Sequence, residues 1–435
     1  MTDGTAGFAE TVNTAARQGR LVVQPRMGFS SPRAMRTGLL ATKRADATTV
    51  GTLTLDSYTR VGDLASVERA LAAGLGLNGY PIVNYGPEVT RWLLAGVRDH
   101  TFPVQVRHGS AVPLDIFRAL ARNGIDATEG GPVSYCLPYG RTPLADSIRN
   151  WSACCELFAT LADTGLRPHL ETFGGCMMGQ LCPPSHLIAI SVLEALFFRE
   201  HGITSVSLSY AQQTSPEQDR ESVAALRRLC AELLGDIDWH VVIYAYMGLF
   251  PRTPGGARRL LAQAAALAAA TGAERLIVKT TAEARRIPTV EENVAALETA
   301  ATIAADTPRQ PADHGDSETY TEARAIIDAV RDLAPRMADA LLRAFKRGVL
   351  DIPYCLHPDN RGQTSSFIDD AGRLRWADTG ALPLPASAAT GPARTVGSTE
   401  FLSALSYMQW KFDTEPLDPE PPGREHAVTN PGNRE

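Results

Sequence analysis

The chain has 435 residues and a mass of 46.7 kDa, enough to bury the core of one α/β barrel with additions or of two domains. Its 48 acidic against 42 basic residues give a net charge of −6 and a pI near 5.9, so there is no basic footprint for nucleic acid or an anionic membrane. No apolar run approaches the ~20 residues that span a bilayer, and MTDGTAGFAETVNTAARQG at the start lacks a secretory apolar stretch, so a cytoplasmic location is expected.

In chain order, strand-like runs fall at LVVQPR (21–26), TLTLDS (52–57), PIVNY (81–85), PVQVRH (103–108), PVSYC (132–136), RPHLETF (167–173), SVSLSY (205–210), WHVVIYAY (239–246) and RLIVK (275–279). Amphipathic segments lie between them at 64–75, 113–124, 147–165, 185–202, 219–235 and 257–272, several closing on glycine as helix C-termini do. Eight or nine such units over roughly 260 residues match a TIM-type (β/α)8 barrel, with a doubly wound α/β sheet as the alternative. Residues 303–330 break the rhythm before re-entering helix, and from 350 onward the chain is rich in turns. The expected organisation is an N-terminal extension (1–20), a catalytic barrel (21–345), an irregular C-terminal region packed on it (346–411) and a Pro-rich, polar, disordered tail (412–435).

Three arginines stand out against this rhythm. Arg26, Arg60 and Arg107 each end a strand-like run and each precede a glycine by two positions. Parallel strands deliver their C-terminal ends to one face of a barrel, where three arginines would converge. A guanidinium is permanently charged and forks to match a carboxylate, so a trio suits a small substrate with two carboxylates. Arg17, Arg36 and Arg122 share the Arg-x-Gly pattern in helical or loop segments, so only the strand context separates the first three.

Glu129, Tyr135 and Tyr139 in TEGGPVSYCLPYG offer an ammonium acceptor and two phenols for orienting a ligand; read alone, they better suit a strand whose tyrosines pack with their hydroxyls at the rim. His108 follows Arg107 and suits either a structural or a substrate-contacting role. Lys279 and Glu283 read either as an exposed helix-start pair or as two groups for ligand hydroxyls. The seven cysteines, at 136, 154, 155, 176, 182, 230 and 355, form no Cys-x-x-Cys pair, and no metal site is expected. DWHVVI (238–243) begins like an Asp-x-His-x-x-Gly cobalamin loop but has Ile243 where glycine is required.

Set in order, QPRMG, TLDSYTRVG, LNGYPIVNYG, VQVRHG, TEGGPVSYCLPYG, ETFGG…LCPPS, MGLFP, IVKTTAEARRIP and DIPY resemble the large (epsilon) subunit of glutamate mutase, also called methylaspartate mutase, over roughly residues 20–385. The resemblance implies a (β/α)8 barrel and an isomerase that rearranges L-glutamate to L-threo-3-methylaspartate by adenosylcobalamin radical chemistry. It implies a small cobalamin-binding sigma subunit that carries the cobalt ligand, in a heterotetramer built on a large-subunit dimer. By position, Arg26, Arg60, Arg107, His108, Glu129, Tyr135 and Tyr139 are the implied substrate contacts, with Glu129 and Arg60 catalytic. Gly28, Asn78, Pro138, Phe250, Lys279, Glu283 and Ile287 are the implied cofactor contacts. The chain departs from the family at Tyr244-Ala245-Tyr246 and in the 174–184 loop, both bearing on the adenosyl seat. The competing readings are a cobalamin-independent lyase or aldolase-type barrel acting on another dicarboxylate, and a non-catalytic homologue.

Overall fold

Eight parallel strands form one sheet, Val22–Pro25 (β1), Gly51–Thr54 (β2), Val104–Arg107 (β3), Ala127–Gly130 (β4), His169–Thr172 (β5), Ser205–Ala211 (β6), Asp238–Tyr244 (β7) and Arg275–Val278 (β8). This computed structural model describes residues 7–138, 140–176, 181–283, 285–310, 315–389 and 397–414. The strand order β1-β8-β7-β6-β5-β4-β3-β2 runs once around a cylinder. Val23 bridges in parallel to Thr49 just ahead of β2, so the two end strands meet and the barrel is nearly closed. Helices follow every strand, and the expected (β/α)8 architecture is the one observed.

Two expected strands are not strands. PIVNY (81–85) is a turn: only Tyr80 bridges to the sheet, at Leu55. PVSYC (132–136) is also a turn, held from outside by Glu194, whose carboxylate accepts from the Val133 and Ser134 amides and the Ser134 hydroxyl. The eighth strand is instead Ala127–Gly130, which pairs with β5 along its whole length and with β3 at Thr128.

The helix Phe8–Arg17 lies under the barrel rather than trailing from it. Phe8, Val12 and Ala15 pack with Val22, Val50 and Ala127 to stop the N-terminal end, and Phe8 stacks on His169. On the outside, helix Pro184–Glu200 is buried along nearly its whole length, as an apolar helix with no polar face must be. Helices Glu318–Arg331 and Met337–Arg347 supply the covering layer. The later hairpin Ser365–Ile368/Leu374–Asp378 is tied on by the Arg373–Glu221 and Arg375–Glu318 ion pairs. Helix Ser398–Thr414 runs through residues 412–414 of the expected tail and packs Met408 and Phe412 beside Leu260. Residues 415–435 lie outside the described residues. Among the described residues no helix is long and apolar enough to cross a membrane.

Candidate active site

Strand alternation sends every second side chain into the barrel, and here the interior is polar. Gln24 on β1 and Gln105 on β3, each two residues before an arginine, meet at 2.9 Å, and Gln24 also reaches Thr52 on β2. Arg275 on β8 and Glu171 on β5 form an ion pair with both side chains 0% exposed, and Glu171 accepts further from Gln105 and Ser207 at 3.2 and 3.1 Å. Buried charge survives only when paired and hydrogen-bonded, and this pair is both.

One layer higher, at the C-terminal mouth, the substrate candidates assemble. Arg107 ends β3 and meets Glu129 of β4 at 2.9 Å, at 5% and 2% exposure. The Tyr135 hydroxyl donates to the other oxygen of Glu129. Burial works against the charge on Arg107, but Glu129 leads the neighbours that hold it firmly protonated. Burial, partly countered by Arg107, pushes the Glu129 carboxyl above its ordinary range.

Arg60 arrives by a different route from the one its sequence suggests. It is not at a strand end but in the short helix Ser57–Val61 that follows β2. Asp56 caps that helix by accepting from the Tyr58 and Thr59 amides, and the Asn78 side-chain oxygen accepts from Ser57. The Arg60 Nε–H then donates to the Leu55 carbonyl at 3.2 Å. Burial lowers its pKa, Tyr135 and Glu129 raise it, and Arg26 and Arg107 lower it, so all five groups share one field. Arg26, past the end of β1, closes the ring by pairing with Glu283 at 3.3 Å.

His108 stacks on Trp151 and sits edge-on to Tyr135. The Ser110 amide donates to its Nδ1, so the ring proton sits on Nε2, and burial with the nearby Arg60 drives its pKa down to about 3. It is a neutral hydrogen-bond donor, not a cation.

The expected cofactor residues divide. Lys279, past β8, is buried, donates to the Tyr246 carbonyl at 2.8 Å and lies over the Phe250 ring. Glu283 accepts from the Thr280 amide while holding Arg26, so a cation and a carboxylate flank one corner of the mouth. Gly28 packs against the end of β2, where a Cβ would lie 2.4 Å from the Thr54 carbonyl oxygen. Asn78 is engaged with the helix that carries Arg60. Pro138 is part-buried in the turn after Tyr135, and Ile287 stands 58% exposed on the rim. Tyr139 and residues 177–180 of the divergent loop lie outside the described residues.

The sequence reading placed Tyr244 by the adenosyl seat rather than beside Glu129, and it missed Glu171 and Arg275. Their signal was present: charged residues at alternate, inward positions of parallel strands, as in His-Leu-Glu of β5. Tyr244 on β7 reaches Glu129 at 2.9 Å, accepts from Arg107 at 3.1 Å and donates to Glu171.

The family profile described as methylaspartate mutase E chain matches residues 4–395. A glutamate mutase epsilon subunit of Yersinia enterocolitica is 31% identical over 396 residues, covering 87% of this chain and 81% of its own. One from Haloarcula marismortui is 33% identical over 345 residues, covering 76% and 70%. One from Desulfitobacterium hafniense is 32% identical over 348 residues, covering 76% and 71%.

Proposed function

This chain belongs to the methylaspartate mutase E chain family, and on that premise we propose that it is the large, substrate-binding subunit of an adenosylcobalamin-dependent glutamate mutase. The reaction is the reversible isomerisation of L-glutamate to L-threo-3-methylaspartate, and the partner is a small cobalamin-binding subunit, assembled with a large-subunit dimer as a heterotetramer. The observation that carries this reading is the buried Arg107–Glu129 pair with Arg60 and Arg26 at the same mouth. An α-amino acid is itself an ion pair, so it can insert between Glu129 and Arg107, ammonium to carboxylate and carboxylate to guanidinium. A second carboxylate then meets Arg60, whose Nε is spent on Leu55 while its two terminal nitrogens form the fork.

The chemistry of the mouth fits the cofactor's sugar. Lys279 donates and Glu283 accepts at one corner, as a pair of ribose hydroxyls requires, with the Phe250 ring beside them. The cobalt ligand belongs, on this reading, to the small partner subunit, in keeping with the 238–243 segment lying in strand β7 and having Ile243 where the ligand loop needs glycine. Adenosylcobalamin, when bound, supplies the radical chemistry that a carbon-skeleton rearrangement needs. The residues of this chain bind and orient. Arg107 and Arg60 hold the two carboxylates apart so that neither half of the substrate drifts, and Glu129 with Tyr135 fixes the amino group.

The assembly claim is tested by gel filtration with absorbance detection of the corrin. Corrin should co-elute with this chain only when the small subunit is present. Corrin co-eluting with this chain alone, or a small subunit that never joins it, would overturn the proposed division of labour.

A further inference from the structure

Tyr244 sits where two buried charge systems touch. Below it, Glu171 is fixed by Arg275, Gln105 and Ser207. Above it, Glu129 and Arg107 face the pocket. Glu129 and Glu171 are direct register partners on β4 and β5, so two carboxylates project side by side into the same interior. Among the described residues only the Tyr244 hydroxyl is hydrogen-bonded to both, and it accepts from Arg107 at the same time. The ring itself is held by Phe173 edge-on and by the Arg107 guanidinium 4.9 Å over its face. A phenol has one proton to donate, so that proton is shared between two anions that would otherwise repel.

We propose that Tyr244, anchored by the Glu171–Arg275 pair, is a positioning residue that keeps Glu129 an ionised, correctly aimed acceptor for the substrate's amino group. The inference rests on the glutamate mutase reading. Tyr244 does not contact the substrate; it acts through Glu129 and Arg107. The titratable and charged groups facing Glu129 are Arg107 at the end of β3, neutral His108 just past it, Arg60 on the helix after β2, Tyr135 on the turn after β4, Glu171 on β5 and Tyr244 on β7. Burial raises the Glu129 carboxyl, Glu171 raises it further, and Tyr244 lowers it. Arg275, ahead of Arg107, pulls Glu171 below its ordinary range against its own burial.

Two substitutions should therefore move the same property in opposite directions. Tyr244→Phe removes the shared donor and leaves the two carboxylates facing each other, so Glu129 takes up a proton at higher pH. The acidic limb of kcat/KM for glutamate should move up by about one pH unit, which is about a tenfold loss in kcat/KM at a fixed pH on that limb. Glu171→Gln removes the neighbouring charge and can donate its amide to the Tyr244 oxygen, leaving the phenol proton wholly to Glu129. Its acidic limb should move down.

The assay is the reconstituted two-subunit enzyme with adenosylcobalamin, alongside calorimetric L-glutamate affinity over the same pH range. A purely structural Tyr244 would lower activity at every pH without moving the limb. Limbs that stay in place, or move together, overturn the proposal. A wild-type pair that leaves glutamate unchanged overturns the functional reading instead, so the two failures are distinguishable. Should Tyr244→Phe not fold, Glu171→Gln still tests the coupling of the two carboxylates, and an unmoved or upward limb in it refutes the proposal.

Discussion

Replacing Arg60 by lysine keeps the charge and removes the fork. In the structure the guanidinium is anchored by its Nε to the Leu55 carbonyl, and its helix is pinned by Asp56 and Asn78, so its two terminal nitrogens have a fixed aim. Lysine retains a single point contact to a carboxylate and loses the anchor. At the substrate the difference is one hydrogen bond to a charged group, about 1.5–3 kcal/mol, or roughly a 10- to 150-fold fall in kcat/KM. If the contact is equally strong throughout the reaction, KM alone rises; if it tightens as the substrate divides, kcat falls too. Arg17→Lys is the matched control, because Arg17 has the same Arg-x-Gly context but lies at a helix end bonded to Thr14. The assay is steady-state methylaspartate formation by the reconstituted pair. Arg60→Lys within twofold of wild type, or Arg17→Lys falling equally, would refute the role given to Arg60.

Other outcomes follow from the same geometry. Lys279→Met should weaken adenosylcobalamin binding to the assembled pair about tenfold while leaving L-glutamate affinity nearly unchanged, as read by titration of each; equal losses in both would place Lys279 elsewhere. Gly28→Ala forces a Cβ against the Thr54 carbonyl and should cost about 1–3 kcal/mol in urea unfolding, whereas an unchanged midpoint would mean that β1 and β2 separate easily. His186 is buried against Trp376, and burial drives its pKa down to about 3, so the folded state binds no proton where the unfolded chain does. That stability is lost progressively as pH falls from ~6.5 toward about 3. His186→Leu should gain about 1.4 kcal/mol on wild type between pH 8 and pH 5.5, and a pH-independent difference would show that His186 is not neutral when folded.

The barrel was legible because parallel strands and their helices alternate in hydrophobic pattern, and seven of the nine expected runs are strands of the sheet. PVSYC misled because its β-branched and aromatic residues are buried for a different reason. Glu194, far along the chain, captures its amides and makes it a turn. Ala-Thr-Glu-Gly has little strand propensity, and it is a strand because β3 and β5 flank it on both sides. The arginine trio was visible as a set, yet Arg60 was misplaced by a few residues of local geometry. The Asp-Ser-Tyr-Thr run around Asp56 is an N-cap signal that identifies its helix. Glu171 and Arg275 carry an inward-alternation signal, but their strands are far apart in sequence, and only closure of the barrel brings them together with Tyr244.

The most direct measurement is carbon-13 NMR of labelled L-glutamate incubated with this chain, the small subunit and adenosylcobalamin, with each component omitted in turn. The account predicts 3-methylaspartate signals only in the complete mixture. Unchanged glutamate with a cobalamin-loaded pair, or turnover of a dicarboxylate by this chain alone, would contradict it.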